Sequence, residues 1–210
     1  MATALGASPV LDVGAADGSL ARLLRGTDLV IDAVEPDADS ARYAEPFYRT
    51  VFAQSIEVAP LVPGTYRLVI CADVLEHTPD PVAVLRRLRE AATDDARFLI
   101  SVPNIAHLAA RALLLAGRFP QADRGIFDRT HLHFYTRRTA LEMVRAAGLR
   151  PLALHTTPVP LAEVWPRALG ATLLEAAMRL QQLAIRARPT LFSFQWIVVA
   201  EADPSRATAG

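Results

Sequence analysis

The chain is poor in most features that mark a specialised protein. It has one cysteine, Cys71, in 210 residues, which excludes a disulfide framework and a thiolate metal cluster. It has no excess of charge: Lys+Arg and Asp+Glu are both 22, so the formal net charge is +0. Phosphate-directed binding of nucleic acid calls for a basic excess or a basic stripe. The densest basic cluster, Arg86-Arg87-Arg89, falls in an amphipathic segment and reads as a solvated helix face, so nucleic acid is not an expected partner. No apolar run reaches the roughly 18 residues of a membrane span. Met1 to Pro9 carries no basic flank ahead of an apolar run, so no signal peptide is expected either. A cytoplasmic location is the remaining expectation. The rest is ordinary, 52% hydrophobic and 21% charged, enough to bury one core of normal size.

Apolar runs alternate with amphipathic segments, the pattern of repeated strand–helix units around a parallel sheet. Strands are expected at 8–13, 29–34, 49–52, 66–71, 97–102, 149–156 and 191–200. Helices are expected at 19–25, 36–43, from Asp80-Pro81 onward, at 105–116 and at 137–147. Pro81 suits a first turn, Thr136 an N-cap, and Gly148 a helix end. A single domain over 1–203 follows, with a flexible tail at 204–210. The stretches 104–136 and 158–188 interrupt the regular alternation. Within the second, 161–186 reads as one long helix that is apolar on more than one face. Such a helix has to be buried, in the core or a homodimer interface first, otherwise as a lid over the acceptor or against a lipid surface; its end (Arg179, Arg186, Arg188) is too polar to span a bilayer.

The most informative segment is Val10-Leu11-Asp12-Val13-Gly14-Ala15-Ala16-Asp17-Gly18, a buried strand entering a tight turn and a helix. Gly14, Ala15, Ala16 and Gly18 leave the backbone bare, so a ligand can approach it closely. The helix N-terminus then directs free N–H groups at that ligand. The dinucleotide turn is Gly-x-Gly-x-x-Gly, whereas the spacing here is Gly14-x-x-x-Gly18, with Asp12 and Asp17 around it. Two carboxylates would repel a pyrophosphate but suit a cationic ligand carrying an α-amino group. S-adenosylmethionine meets that description better than NAD. Glu35 ends the second strand about 20 residues further on, where a carboxylate takes both ribose hydroxyls. A helix-capping role beside Pro36-Asp37 is the alternative for Glu35.

With these residues in hand, the chain resembles the class I S-adenosylmethionine-dependent methyltransferases over nearly its whole length. Leu11 to Gly18 is similar to their glycine motif and Val34-Glu35-Pro36 to their acidic ribose motif. Leu68 to His77 resembles the fourth-strand motif and Leu99 to Asn104 the fifth. The resemblance implies a doubly wound, Rossmann-like α/β fold of seven strands, the last antiparallel and inserted beside the sixth. It also implies S-adenosylmethionine as cofactor and S-adenosylhomocysteine as product. Cofactor contacts are then expected from Asp12, Gly14, Ala15, Asp17, Gly18, Glu35, Pro36, Cys71 and Asp73. The adenine usually meets a Gly-Asp pair after the third strand. This chain has Ala53-Gln54 there, so Gln54, Ser55 and Ile56 are expected around the base.

Such a loop specifies the donor and leaves the acceptor open. Asp73-Val74-Leu75-Glu76-His77 closes the fourth strand, where His77 can act as a general base or shape the loop with Glu76. The ubiquinone-type O-methyltransferases and the small-RNA 2′-O-methyltransferases carry a similar acidic-x-x-Glu-His motif that holds a divalent ion. Asp73, Glu76 and His77, with His131 or His133 as a further ligand, are therefore an alternative ligand set, although a metal-free enzyme is the main expectation. The segment 125–136 concentrates Asp128, Arg129, His131, His133 and three aromatics. In an extended backbone His131 and His133 share a face, and Asp128 can orient one of them as base. The alternative there is an Asp128–Arg129 pair that pins the loop. This segment resembles bacterial methyltransferases found among glycan and secondary-metabolite enzymes, which implies O-methylation of a sugar or other small metabolite. N- or C-methylation remains open at this point, as do a non-catalytic S-adenosylmethionine-binding regulatory subunit and a nicotinamide-dependent oxidoreductase.

Overall fold

The computed structural model of the chain describes residues 8–166 and 170–206. Seven strands form one sheet: β1 (Val10–Val13), β2 (Ile31–Val34), β3 (Thr50–Phe52), β4 (Tyr66–Ala72), β5 (Ala92–Pro103), β6 (Leu149–Thr157) and β7 (Gln195–Ala202). Their order is β3-β2-β1-β4-β5-β7-β6. The first five are parallel, and β7 runs antiparallel between β5 and β6, as the resemblance implies.

Burial on both faces explains the uninterrupted apolar reading of the central strands. Every residue of β1 and β2 is buried. On one face α3 (Pro81–Ala91) and α5 (Arg137–Ala146) cover the sheet. Helix α3 starts on Asp80, whose carboxylate accepts the Ala83 N–H at 2.9 Å, with Pro81 in its first turn. Its buried Val84, Leu85 and Leu88 each contribute about 1.5–3 kcal/mol of transfer free energy. Thr136 caps α5 through a reciprocal pair with Thr139. On the other face lies a smaller cluster that includes Ala21 of α1 (Ser19–Leu23) and Ala44 of α2 (Ala38–Ala44).

Several elements differ from the sequence expectation, each for a local reason. The first helix has five residues rather than seven, and the fourth, α4 (Leu108–Leu115), starts on His107, whose Nδ1 accepts the Ala109 N–H at 3.2 Å. Strand β5 begins at Ala92, because Tyr66 of β4 pairs with Ala92 across a register shift. Strand β7 begins at Gln195, since Pro189 starts a short helical turn, α8 (Pro189–Phe192). The segment 161–186 is not one helix. It divides into α6 (Leu161–Val164) and α7 (Gly170–Ala187), with Trp165 forced extended ahead of Pro166. Nor is α7 covered in the single chain, where Ile185 is its buried residue. Of the tail, 204–206 forms a 3-10 turn, and 207–210 lie outside the described residues. No helix among the described residues is long and apolar enough to cross a membrane.

The register positions the site. Val13 lies opposite Val34 on one side and Cys71 on the other, so Gly14, Glu35 and Ala72-Asp73 emerge side by side. Strand order reverses between β1 and β4, where loops part and leave a crevice at the carboxyl ends.

Candidate functional site

A cleft of about 390 Å³ occupies that crevice. Its floor is the turn after β1. Gly14 has φ 76°, and a Cβ on it would fall 2.4 Å from Val74 Cγ2, so only glycine fits. Ala16 also takes a left-handed φ of 46°. The Gly14 N–H donates to Val34 O at 2.8 Å, and Ala16 N–H to Glu35 Oε2 at 2.8 Å. The other carboxylate oxygen of Glu35 accepts the Asp37 N–H at 2.9 Å. Glu35 is therefore buried and fixed by both flanking loops, and each oxygen retains a lone pair. These bonds spend the N–H groups at 14 and 16 within the turn itself.

Of the expected cofactor residues, Gly14, Glu35, Pro36, Ser55, Ile56 and Asp73 line this cleft. Asp12, Ala15, Asp17, Gly18, Gln54 and Cys71 do not. The side chain of Asp12 turns away from the cleft to the Tyr48 hydroxyl, which donates to it at 2.5 Å. Burial pushes its carboxyl up to about 6, the Tyr48 bond opposes this, and Glu35 adds repulsion. Asp17 is exposed and bonded to Ser19 and Arg22. Gly18 supplies the left-handed start of α1, with Phe47 and Ala44 packed against it. Cys71 is sealed in the core, where burial raises its thiol far above the usual range. Sequence reasoning did not single out Val74, whose role is visible only through its contact with Gly14, or Thr78 and Pro79, which also line the cleft.

A second cleft, of about 500 Å³, adjoins the first, and Asp73 and His77 line both. Asp73 has a left-handed φ of 55°, the kind of backbone strain that persists only where surroundings hold it. Ser101 Oγ donates to its Oδ1 at 2.7 Å and Gln195 Nε2 to its Oδ2. Strands β5 and β7 thus aim a carboxylate between the two clefts.

The remaining wall of the second cleft comes from the loop 119–136, from 159–163 at the entry to α6, and from Pro103, Phe194 and Gln195 at the ends of β5 and β7. Leu132 and His133 N–H groups both donate to Glu76 O, at 2.7 and 3.2 Å, which ties this loop to the end of β4. His131 lines the cleft. His133 does not: its Nε2 lies 3.3 Å from Pro79 O. The two histidines fail to share a face because 131–134 is not a strand. The Asp128 carboxylate bonds to neither histidine ring, although its backbone carbonyl accepts the His131 N–H at 3.1 Å. Its Oδ1 accepts the N–H of Thr130 at 2.8 Å and the hydroxyl at 2.6 Å, while that hydroxyl lies 3.0 Å from His77 Nδ1. Nor does Asp128 pair with Arg129, which binds Asp123.

Glu76 is completely buried, and neither carboxylate oxygen has a hydrogen-bond partner. Its carboxyl is pushed up to about 8, chiefly by burial and further by Asp73 and Asp128. His131 Nε2 lies 4.0 Å from Glu76 Oε1, and burial lowers the His131 pKa, which favours the neutral imidazole. Ligand atoms of Glu76, His77 and His131 all lie within 4.8 Å of one another. An orphaned carboxylate beside two imidazoles fits a divalent cation. Of the ligands suggested by sequence, Glu76, His77 and His131 come together, whereas Asp73 is bonded to Ser101 and Gln195 and His133 lies apart.

Comparisons with known proteins identify the family and the fold. The family profile described as a methyltransferase domain matches residues 3–154. A ubiquinone biosynthesis O-methyltransferase of Aeromonas salmonicida is 29% identical over 151 residues, 67% of this chain and 62% of that protein. The matched part therefore spans less than two thirds of that relative. Its counterpart in Pseudomonas aeruginosa is 28% identical over 170 residues, covering 72% of each chain. The solved structure of a SAM-dependent methyltransferase from Archaeoglobus fulgidus superposes with a TM-score of 0.62 at 18% identity, covering 91% of this chain and 85% of that one. A Burkholderia thailandensis 1,6-didemethyltoxoflavin-N1-methyltransferase, solved with S-adenosylhomocysteine, gives a TM-score of 0.57 at 18% identity, covering 92% and 70%. At such identities the superpositions show the fold.

Proposed function

The chain belongs to the class I S-adenosylmethionine-dependent methyltransferases, and from that membership we propose that it methylates a hydroxyl of a small polar acceptor. The observation that carries this reading is the shared wall: Asp73 and His77 line both clefts. A donor in the first cleft and an acceptor in the second meet at these two residues.

S-adenosylmethionine supplies a methyl group already activated by its sulfonium. Glu35 accepts from the ribose hydroxyls with the lone pairs its backbone bonds leave free, while Ser55 and Ile56 flank the adenine. Asp73 offers a carboxylate to the cationic methionine portion. His77 takes the acceptor's proton as its oxygen attacks the methyl carbon in line, and the carbon–sulfur bond breaks toward S-adenosylhomocysteine. The ubiquinone biosynthesis relatives are named O-methyltransferases, which supports oxygen over nitrogen or carbon. The test is a methyl-transfer screen with labelled cofactor against sugars, phenols and amines. Incorporation into phenols or sugars is expected, and transfer to amines alone would overturn the hydroxyl assignment.

A second reading rests on the orphaned Glu76 carboxylate. Glu76, His77 and His131 would hold a divalent cation, which binds acceptor oxygens and lowers a hydroxyl pKa. Magnesium or zinc titration by calorimetry decides it: heat with the wild type that disappears in Glu76→Gln supports the cation, and no heat excludes it.

A further inference from the structure

We propose that Thr130, anchored by Asp128, is a positioning residue that fixes His77 in its Nδ1–H tautomer and leaves Nε2 as the ring nitrogen with a free lone pair. The inference rests on the reading of His77 as the residue between donor and acceptor. It applies whether that lone pair takes a proton or a cation.

The argument is an inventory of hydrogens. Thr130 has one hydroxyl hydrogen, and Asp128 Oδ1 lies 2.6 Å from its Oγ1. An ionised carboxylate only accepts. Asp128 is held ionised, its carboxyl drawn below the usual carboxylate range by the Thr130 hydroxyl and then the Thr130 N–H. The hydroxyl hydrogen is thereby committed, and Oγ1 presents a lone pair to anything else. His77 Nδ1 lies 3.0 Å from that oxygen. It also lies 3.3 Å from the Thr130 carbonyl oxygen, which has no hydrogen to give. Both neighbours of Nδ1 are acceptors, so Nδ1 carries the hydrogen. A neutral imidazole has one N–H, and Nε2 is left bare.

This fixation matters because an unconstrained histidine side chain favours the opposite form, with hydrogen on Nε2. A base or ligand in the wrong tautomer presents an N–H where a lone pair is required. Histidines at reactive centres are generally held by a partner on the far nitrogen for this reason. Here the partner is a hydroxyl on a loop 53 residues away in sequence, backed by a carboxylate. The same loop is pinned to the end of β4 through Glu76 O, so Thr130 and His77 are held at fixed separation. Asp128 and Thr130 alone would form an ordinary loop turn, so the test has to read the imidazole itself.

Long-range nitrogen–proton NMR of the protein with labelled histidine, at a pH where His77 is neutral, reports the tautomer directly. Wild type should show a protonated Nδ1 and an unprotonated Nε2 for His77. Thr130→Val keeps the shape and removes the hydroxyl, so the pattern should move toward Nε2–H, and Thr130→Ser should restore it. On any acceptor turned over by the wild type, Thr130→Val should lower kcat about 10- to 100-fold, less than the ~10²–10⁴ for loss of a base outright. The cofactor KM should stay unchanged. An unaltered His77 spectrum in Thr130→Val, or a switched tautomer with unaltered kcat, overturns the proposal. If no acceptor is turned over, the functional reading fails while the spectrum still decides the tautomer.

Discussion

Replacing Gly14 by Ala asks the donor cleft to accept one methyl group at its tightest point. The added carbon lies 2.4 Å from Val74 Cγ2 on a backbone with φ 76°. Two penalties combine. A side chain in the left-handed region costs about 1–2 kcal/mol, and forcing a methyl into occupied space adds about 1–3 kcal/mol. The sum is about 2–5 kcal/mol, which for a chain of this size lowers Tm by about 4–20 °C. The steric share can be separated, because Val74→Ala removes the opposing methyl and leaves the φ penalty untouched. Urea unfolding of wild type, both single variants and the double variant should therefore yield a favourable coupling of about 1–3 kcal/mol. Calorimetry with S-adenosylhomocysteine on the same four proteins should show weakened binding in Gly14→Ala and partial recovery in the double variant. A coupling of zero would refute the contact as the reason for glycine. Unaltered product binding in a folded Gly14→Ala would refute this turn as the floor of the donor cleft.

Three other outcomes are expected. Glu35→Gln keeps the shape of the side chain but sets an amide N–H₂ against one of two backbone donors. Affinity for S-adenosylhomocysteine should fall about 10- to 100-fold, in line with about 1.5–3 kcal/mol for a bond to a charged group, and unaltered calorimetric affinity would remove the ribose assignment. Asp12 is raised in the fold to about 6 from an ordinary 3.8, so the folded state holds its proton more tightly than the unfolded chain. Its contribution favours folding below about pH 4, declines as pH rises to about 6, and is level above, a span of about 3 kcal/mol. Asp12→Asn should flatten that part of the stability profile measured by urea unfolding, and an unchanged slope between pH 4 and 6 would contradict it. On α7, Leu173, Leu180 and Leu183 are 55%, 68% and 60% exposed, and with Ala176 and Ala187 they recur at alternating intervals of three and four. We propose that this seam meets its copy in a homodimer. Light scattering should give the mass of two chains for the wild type and of one for Leu180→Glu, whereas a monomeric wild type would exclude the pairing.

The parts legible in the sequence are those whose signal is local. Strands β1, β2 and β4 are short apolar runs because helices cover both faces, and Thr136 and Asp80 announce their helices by capping chemistry alone. Gly14 and Glu35 follow from a bare turn and a carboxylate closing the next strand. What was illegible depends on partners distant in the chain. Asp12 reads as a ligand group until Tyr48, 36 positions on, takes its carboxylate. The Asp128–Thr130 turn is local, but nothing near it indicates that His77, 53 positions away, is the residue served. Apolar periodicity predicted that α7 would be covered, but periodicity cannot distinguish a face that meets the core from one that meets nothing in the same chain.

The reversal of strand order between β1 and β4 also divides labour along the polypeptide. Residues up to the turn behind β3, together with Asp73 to Pro79, line the cleft proposed for the methyl donor. Apart from Asp73 to His77 and the strand-end residues Pro103 and Gln195, those lining the cleft proposed for the acceptor belong to segments inserted after β5 and β6. On that proposed division, exchange of 119–136 and of α6 would alter the acceptor wall while leaving the lining of the first cleft in place.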